Sequence, residues 1–408
     1  MTRDDAIARD LADPLASLRD RFVLADGLIY LDGNSLGPLP VGVPERVTAV
    51  VTEQWGKDLI ASWNAHDWMR LPTMVGAKIA RLVGAPDGTV VVGDSTSVQL
   101  FKLLLAASRL RPDRRVIVTD PATFPTDAYI AASVARLTDR EIRWCEPSTV
   151  EASLAGDVAV LALTHVDYRT GQMYDAAALT AAAHAVDALV CWDLCHSAGA
   201  ADVELAGWDA DFAVGCGYKY LNGGPGAPAF AYVHPRWHDS LDQPLPGWLG
   251  HADPFAFEQR YRPAPGIERV RTGTPDVLSM IALDAALDAF DGVSTADLRS
   301  KSLALTDYFI ALAVERLTPY GVVIEAPLEY ERRGSQVCLR HPDAYGLVQA
   351  LIARGVVGDF RTPDLARFGF APMYTRFVDV WDAVEQAAAV LAGNEFADAE
   401  YATRKMVT

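Results

Sequence analysis

The chain is short of positive charge: 36 Lys and Arg stand against 53 Asp and Glu, a formal net charge of −17. So acidic a surface repels nucleic-acid phosphates and anionic lipid headgroups, which removes both from the expected partners. Nor is there a basic segment that would attach a regulatory module to DNA. Long hydrophobic runs are missing as well. Apolar residues make up 50% of the 408, enough for a large core, yet no uncharged stretch approaches the ~20 residues that a bilayer crossing needs. Cysteine is scarce. The five present, Cys145, Cys191, Cys195, Cys216 and Cys338, are odd in number and contain no CxxC. Neither a disulfide framework nor a metal site is expected, and most of the thiols read as small buried side chains. The first ten residues scatter five charges where a secretion signal would be apolar, so the expected location is cytoplasmic. A GxGxxG between the first strand and its helix is also absent, against a nicotinamide-dependent dehydrogenase.

What the chain does have is alternation. From residue 89, short β-rich runs (TVVVG, RVIVTD, EIRWCE, VAVLALT, ALVCWD) are interleaved with helical ones (STSVQLFKLLLAASRL, TDAYIAASVARL, AALTAAAHAVD). Buried strands joined by helices of this length form βαβ units, so the expected fold is α/β with a mostly parallel sheet covered on both faces. Ligands on such sheets sit at the carboxyl ends of strands. Past Asp211 the texture changes to two strand-like runs around a Gly/Pro-rich loop, and later helical runs end at Gly292 and before Pro319. Residues 25–294 are expected to form a large domain and 295–408 a smaller α+β domain. An amphipathic segment within residues 1–24 is expected to pack beside the smaller one.

Several residues are placed for chemistry. Asp193 ends the run ALVCWD, and Lys219 lies in GYKYLN, a Gly-bounded turn after a later strand-like run. Such a pair suits a pyridoxal phosphate enzyme. The amine condenses with the aldehyde, and the carboxylate keeps the pyridine nitrogen protonated so that the ring accepts electrons. Taken singly, a solvated loop lysine and a helix-capping aspartate are the plainer readings. Residues 93–107, GDSTSVQLFKLLLAA, run a Gly and three hydroxyl residues into an apolar helix. That suits a phosphate at a helix N-terminus, although capping by Ser95 explains the string without a ligand. FPTD (124–127) offers Phe124 as a flat face for a ring and Asp127 as an acceptor, against the commoner fate of a core Phe. His196 could hydrogen-bond the cofactor or the neighbouring backbone. Arg367, in LARFGFAPMY, presents a fork able to take a substrate carboxylate in two parallel hydrogen bonds, or to form an ordinary surface ion pair.

Together the strings LDGNSLGPLP (31–40), FPTD, DLCHSAG, GCGYKYLNGGPG (215–226), PGWLGH (246–251) and RFGFAPMY (367–374) resemble the kynureninase family of bacterial type. That family sits in the class V aminotransferase branch of fold type I pyridoxal phosphate enzymes. The likeness spans nearly the whole chain. It implies the type I transferase fold, with a seven-stranded sheet in the large domain, and pyridoxal 5'-phosphate as cofactor. It also implies hydrolysis of L-kynurenine to anthranilate and L-alanine in tryptophan catabolism.

Residue roles follow from the same resemblance. Lys219 would be the Schiff-base lysine and first base, Asp193 the pyridinium partner, and Phe124 the cover of the ring. Thr96 or Ser97 would meet the phosphate with Tyr218, joined across a homodimer interface by Trp248 and Thr274. Asp127 and His196 match cofactor-site positions, and Arg367 matches the residue that grips the α-carboxylate. Asn34, Trp63, Gly273 and Thr274 would lie at the substrate. Tyr218 is the candidate base for the water that adds to the γ-carbonyl, with phosphate binding as its other role. Trp63 and Gly273 imply a preference for L-kynurenine over 3-hydroxykynurenine, core packing and turn geometry being their plainer readings. A class V rival such as a cysteine desulfurase would need a reactive cysteine on a mobile loop. Cys338 instead sits in a strand-like run, and the other four lie in or beside core strands.

Overall fold

Short valine-rich segments build the central sheet, because β-branched side chains fit a pleated surface buried on both sides. The computed structural model describes residues 1–401 and 403–405. Its main sheet has seven strands in the spatial order Val90–Val92, Phe230–Val233, Phe212–Gly215, Leu189–Asp193, Val158–Thr164, Val116–Thr119, Glu141–Trp144. The last five are mutually parallel, and Phe230–Val233 runs antiparallel to both its neighbours. Alternate residues go to opposite faces. Val90, Val92, Val116, Val118, Phe230 and Tyr232 join one core, whereas Val91, Ile117, Ala231 and Val233 join the other. Helices Leu71–Leu82 and Val277–Leu287 cover the first face; Thr96–Arg109 and Pro125–Leu137 cover the second. The fold is therefore α/β with a mostly parallel sheet.

A second, antiparallel sheet follows, with strands in the order Val323–Glu325, Gln336–Arg340, Leu365–Gly369, Asp359–Arg361. Helices Thr295–Arg316, Ala344–Ala353 and Phe377–Ala392 bury one of its faces. Leu305, Phe309, Leu347, Val380 and Val384 pack there on Val337, Leu339, Ala366 and Phe368.

The N-terminal stretch does not keep to one core. Helix Arg3–Ala12 stops before Pro14, whose ring cannot continue an α-helix, and a 3-10 turn, Ala16–Arg21, follows it. Ala6 packs in the small core, and Asp10 accepts the Phe377 and Val378 backbone N–H groups at 2.6 and 3.0 Å, capping the last helix. Leu18 and Phe22 then pack in the large core. Ile29–Tyr30 pairs in parallel with Val356–Val357, and Leu31 returns to the small core.

The two sheets meet across the segment of residues 166–173. Gln336 Nε2 donates to the Asp167 carbonyl at 2.9 Å and Arg367 Nη1 to the Tyr168 carbonyl at 2.6 Å. The Gly334 N–H reaches the Gly171 carbonyl at 2.7 Å, and the Met173 N–H reaches the Arg332 carbonyl at 2.7 Å.

Candidate active site

The carboxyl ends of the parallel strands open into a cavity of about 360 Å³. Strand Leu189–Asp193 delivers Asp193, whose Oδ1 accepts the Cys195 N–H at 2.7 Å. Asp127, on the first turn of helix Pro125–Leu137, lies against Asp193, and its Oδ2 accepts the Thr164 hydroxyl at 3.3 Å. Burial, and then the Asp193 charge, hold the Asp127 carboxyl well above the usual carboxylate range. A carboxylate in contact with another is harder to ionise, and a nearby cation offsets that.

Past strand Phe212–Gly215 the turn carries Tyr218 and Lys219 into the same space. Lys219 Nζ lies 2.9 Å from His196 Nε2, and His196 Nδ1 lies 3.0 Å from Gln336 Oε1. Because Gln336 Nε2 is committed to the Asp167 carbonyl, its Oε1 must accept. His196 therefore donates from Nδ1, and its Nε2 lone pair accepts from the lysine. Burial, followed by the Lys219 and Arg367 charges, keeps the imidazole well below its ordinary pKa, so it stays neutral. Segment 31–40 closes over this turn: the Gly37 N–H donates to the Tyr218 carbonyl at 2.8 Å. A Cβ at Gly37 would stand 2.5 Å from the Lys219 carbonyl oxygen, so only glycine allows the approach.

Around this centre lie Thr96 and Ser97 at the start of helix Thr96–Arg109, and Phe124, whose 44% exposed ring meets Tyr168 edge-on at 5.2 Å. Ser95 does cap that helix, its Oγ accepting the Val98 N–H at 3.5 Å. Asn34 is fully buried against the cavity with both amide atoms unpartnered. Arg367 comes from the small sheet, 1% exposed and held by Asp359 through Nε at 2.8 Å and Nη2 at 2.5 Å. It is a buried pair rather than a surface one.

The C-terminal part, residues 298–387, matches the family model described as the kynureninase C-terminal domain. The kynureninase of Pseudomonas fluorescens is 48% identical over 414 residues, covering 100% of each chain. That of Deinococcus radiodurans is 53% identical over 390 residues, 94% of this chain and 95% of the relative. The chain belongs to the kynureninase family. Among solved structures, an apo cysteine desulfurase from Thermococcus onnurineus NA1 aligns with a TM-score of 0.79 at 18% identity, over 92% of this chain and 98% of its own. A mutant of the cystine C–S lyase C-DES, with glycine covalently linked to its PLP cofactor, aligns with a TM-score of 0.78 at 18% identity, over 90% and 98%. These likenesses establish the fold, that of the type I pyridoxal phosphate enzymes.

For this member of the kynureninase family, the cavity brings together Asn34, Thr96, Ser97, Phe124, Asp127, Asp193, His196, Tyr218, Lys219 and Arg367. Trp63, Trp248, Gly273 and Thr274 do not line it. Gly273 and Thr274 border a separate cleft, and Trp63 sits edge-on to Trp68 and Trp248 at 5.9 and 6.2 Å. The aromatic run continues outward through Phe255, 63% exposed, to Phe257, 80% exposed. Ser35, Thr164, Tyr168, Cys195 and Arg361 also line the cavity, and sequence reasoning assigned none of them a role. Ser35 lay in view beside Asn34; Arg361, in VVGDFR, carried no motif. Among the described residues no helix is long and apolar enough to cross a membrane, and no cluster of His, Cys, Asp and Glu is placed to hold a metal ion.

The donor set fits pyridoxal phosphate on four counts. There is an amine beside a neutral acceptor, and a pair of carboxyl groups in contact. Hydroxyls stand at a helix start, and an exposed aromatic face borders the cavity.

Proposed function

We infer that the chain hydrolyses L-kynurenine to anthranilate and L-alanine with pyridoxal phosphate. The observation that carries this is the meeting in one cavity of Lys219 and Asp193 from the parallel sheet with Arg367 from the other sheet. When bound, pyridoxal phosphate supplies an aldehyde for amine exchange and a cationic ring that accepts electrons.

The chain's own residues do the rest. Lys219 would hold the cofactor, and its amine, hydrogen-bonded to His196 Nε2, is the base placed to take the substrate's α-proton. Asp193 and Asp127 would hold the ring nitrogen, whose positive charge would relieve their mutual repulsion. Phe124 would cover the ring, and Thr96, Ser97 and Tyr218 would take the phosphate. Burial, and next the neighbouring Cys216, push the Tyr218 phenol upward, so it enters the site with its proton. That supports phosphate binding by Tyr218 over removal of a proton from water. Arg367 faces the substrate carboxylate, and Asn34 the rest of the amino acid.

A homodimer with shared sites fits the exposed run from Trp248 to Phe257. Apolar surface of this kind marks an interface, and Trp248 and Thr274 would then serve the partner's cofactor, with Trp63 and Gly273 at the substrate ring. The unpaired thiols suit a reducing, cytoplasmic setting. A desulfurase reading is not favoured: Cys338 is buried within strand Gln336–Arg340. Cys195, beside the cavity, has its thiol held well above the ordinary value by the Cys216 hydrogen bond and burial.

The test is direct. Purified protein incubated with pyridoxal phosphate and L-kynurenine should release anthranilate fluorescence and stoichiometric alanine, and Lys219→Ala should abolish both. Turnover at an undiminished rate in Lys219→Ala would falsify the assignment.

A further inference from the structure

Arg367 is too heavily engaged to grip a carboxylate alone. A guanidinium has five N–H groups. In Arg367, Nε and Nη2 donate to Asp359, Nη2 also donates to Ser35 Oγ at 3.0 Å, and Nη1 donates to the Tyr168 carbonyl at 2.6 Å. One Nη1 hydrogen is left. A two-bond grip by this fork would require breaking a bond the protein already makes.

The second source of donors is Arg361. Asp359 and Arg361 are two residues apart on one strand and so project to the same face, and Asp359 stands directly opposite Arg367 in the antiparallel register. Arg361 Nη2 reaches Asp359 Oδ2 at 2.6 Å and Ser35 Oγ at 3.3 Å, while its side chain, 35% exposed, lines the cavity. Its Nη1, with two N–H groups, makes no hydrogen bond among the described residues.

We propose that the substrate carboxylate is bound jointly by Arg361 and Arg367, with Asp359 as the positioning residue that clamps both guanidinium groups. Charge supports the arrangement. Two arginines against one Asp359 carboxylate leave an uncompensated positive charge at the cavity wall. Burial and the Asp359 charge push the nearby Asp32 carboxyl up to about 7, so near neutral pH it cancels only part of that charge. An amino-acid carboxylate supplies the remainder. The proposal deepens the kynurenine reading and rests on it: it concerns the carboxylate end that every α-amino acid shares.

The experiment uses the holoenzyme and two probes, L-alanine and L-alaninamide, which differ in the carboxylate alone, titrated by the change in cofactor absorbance. Arg361→Gln should weaken L-alanine about ten- to a hundredfold, the worth of hydrogen bonds to a charged group, and leave L-alaninamide within a factor of about two. For L-kynurenine the loss should fall mainly on KM. Arg361→Lys, which keeps the charge without the planar fork, should recover part of the affinity and serves as the folding control. Equal effects on the two probes, or none on either, would overturn the proposal. Failure of the wild type to hydrolyse kynurenine would instead count against the functional reading, and is seen before any variant is made.

Discussion

Lys102 carries a fully buried charge in the molecule's large half, and removing its partner should be far costlier than removing the lysine itself. Its side chain is 0% exposed on helix Thr96–Arg109, where Nζ donates to Asp94 Oδ2 at 2.8 Å and to Thr272 Oγ1 at 3.3 Å. Asp94 is 31% exposed and keeps contact with water. Asp94→Asn retains the shape, and asparagine tolerates the left-handed φ of 53° at this position as readily as aspartate. What it removes is the charge opposite a buried ammonium. Breaking a buried pair in this way costs about 3 kcal/mol, the low end applying because Thr272 still accepts. Lys102→Met leaves a partly hydrated carboxylate and an apolar chain in an apolar place, at a cost of about 1 kcal/mol. Urea unfolding should therefore separate the two variants clearly at unchanged slope. The double variant should resemble Lys102→Met.

The pH dependence carries a second check on that pair. Burial lowers the Lys102 pKa, with Asp94 opposing. A base whose folded pKa is depressed binds fewer protons folded than unfolded. Stability therefore rises with pH between the folded pKa and the unfolded value of about 10.4. Asp94→Asn removes the opposing influence, so its alkaline recovery should begin at lower pH than in the wild type. Equal cost for the two single variants, with no alkaline recovery, would refute the reasoning.

Three further outcomes are expected. Gln336→Glu places a carboxylate on His196 Nδ1 and favours the imidazolium, which cannot accept from Lys219; kcat should fall about tenfold and the acid limb of the pH profile should move upward, whereas an unmoved limb would leave Gln336 a packing residue. Mixing Lys219→Ala with Trp248→Ala subunits should restore activity through hybrids holding one intact site, and no recovery after demonstrated exchange would count against a shared site. L-kynurenine should be preferred over 3-hydroxykynurenine about ten- to a hundredfold in kcat/KM, since Trp63 presents a face to the ring and Gly273 supplies no side-chain donor or acceptor for an added hydroxyl; equal values would sink that assignment.

Much of the centre was legible because its residues stand where strand ends must place them. ALVCWD predicts a buried strand ending at Asp193, and the Gly-bounded turn puts Lys219 at the same edge of the sheet. Arg361 was not legible, because its meaning depends on the register that sets Asp359 opposite Arg367, and register appears only when the strands pair. Thr164 and Tyr168 were missed for a related reason: one ends an all-buried strand, and the other sits in the Asp167–Gly171 turn, which nothing in the pattern marks as a cavity wall.

The segment of residues 166–173 has an evolutionary consequence. Asp167, Tyr168 and Gly171 receive the small sheet through their main-chain carbonyls, and Met173 offers its main-chain N–H. None of these four bonds uses the segment's own side chains. Most point substitutions there would leave the docking bonds standing. Insertion or deletion of a single residue would slide the later donors and acceptors by about 3.8 Å, beyond hydrogen-bond reach. Arg367 and Gln336 would lose their anchors together, separating the carboxylate grip from the lysine. The segment should therefore vary in composition among functional descendants of this sequence, save at Gly171, where a Cβ would stand 2.6 Å from the Gln336 carbonyl oxygen, and hardly at all in length.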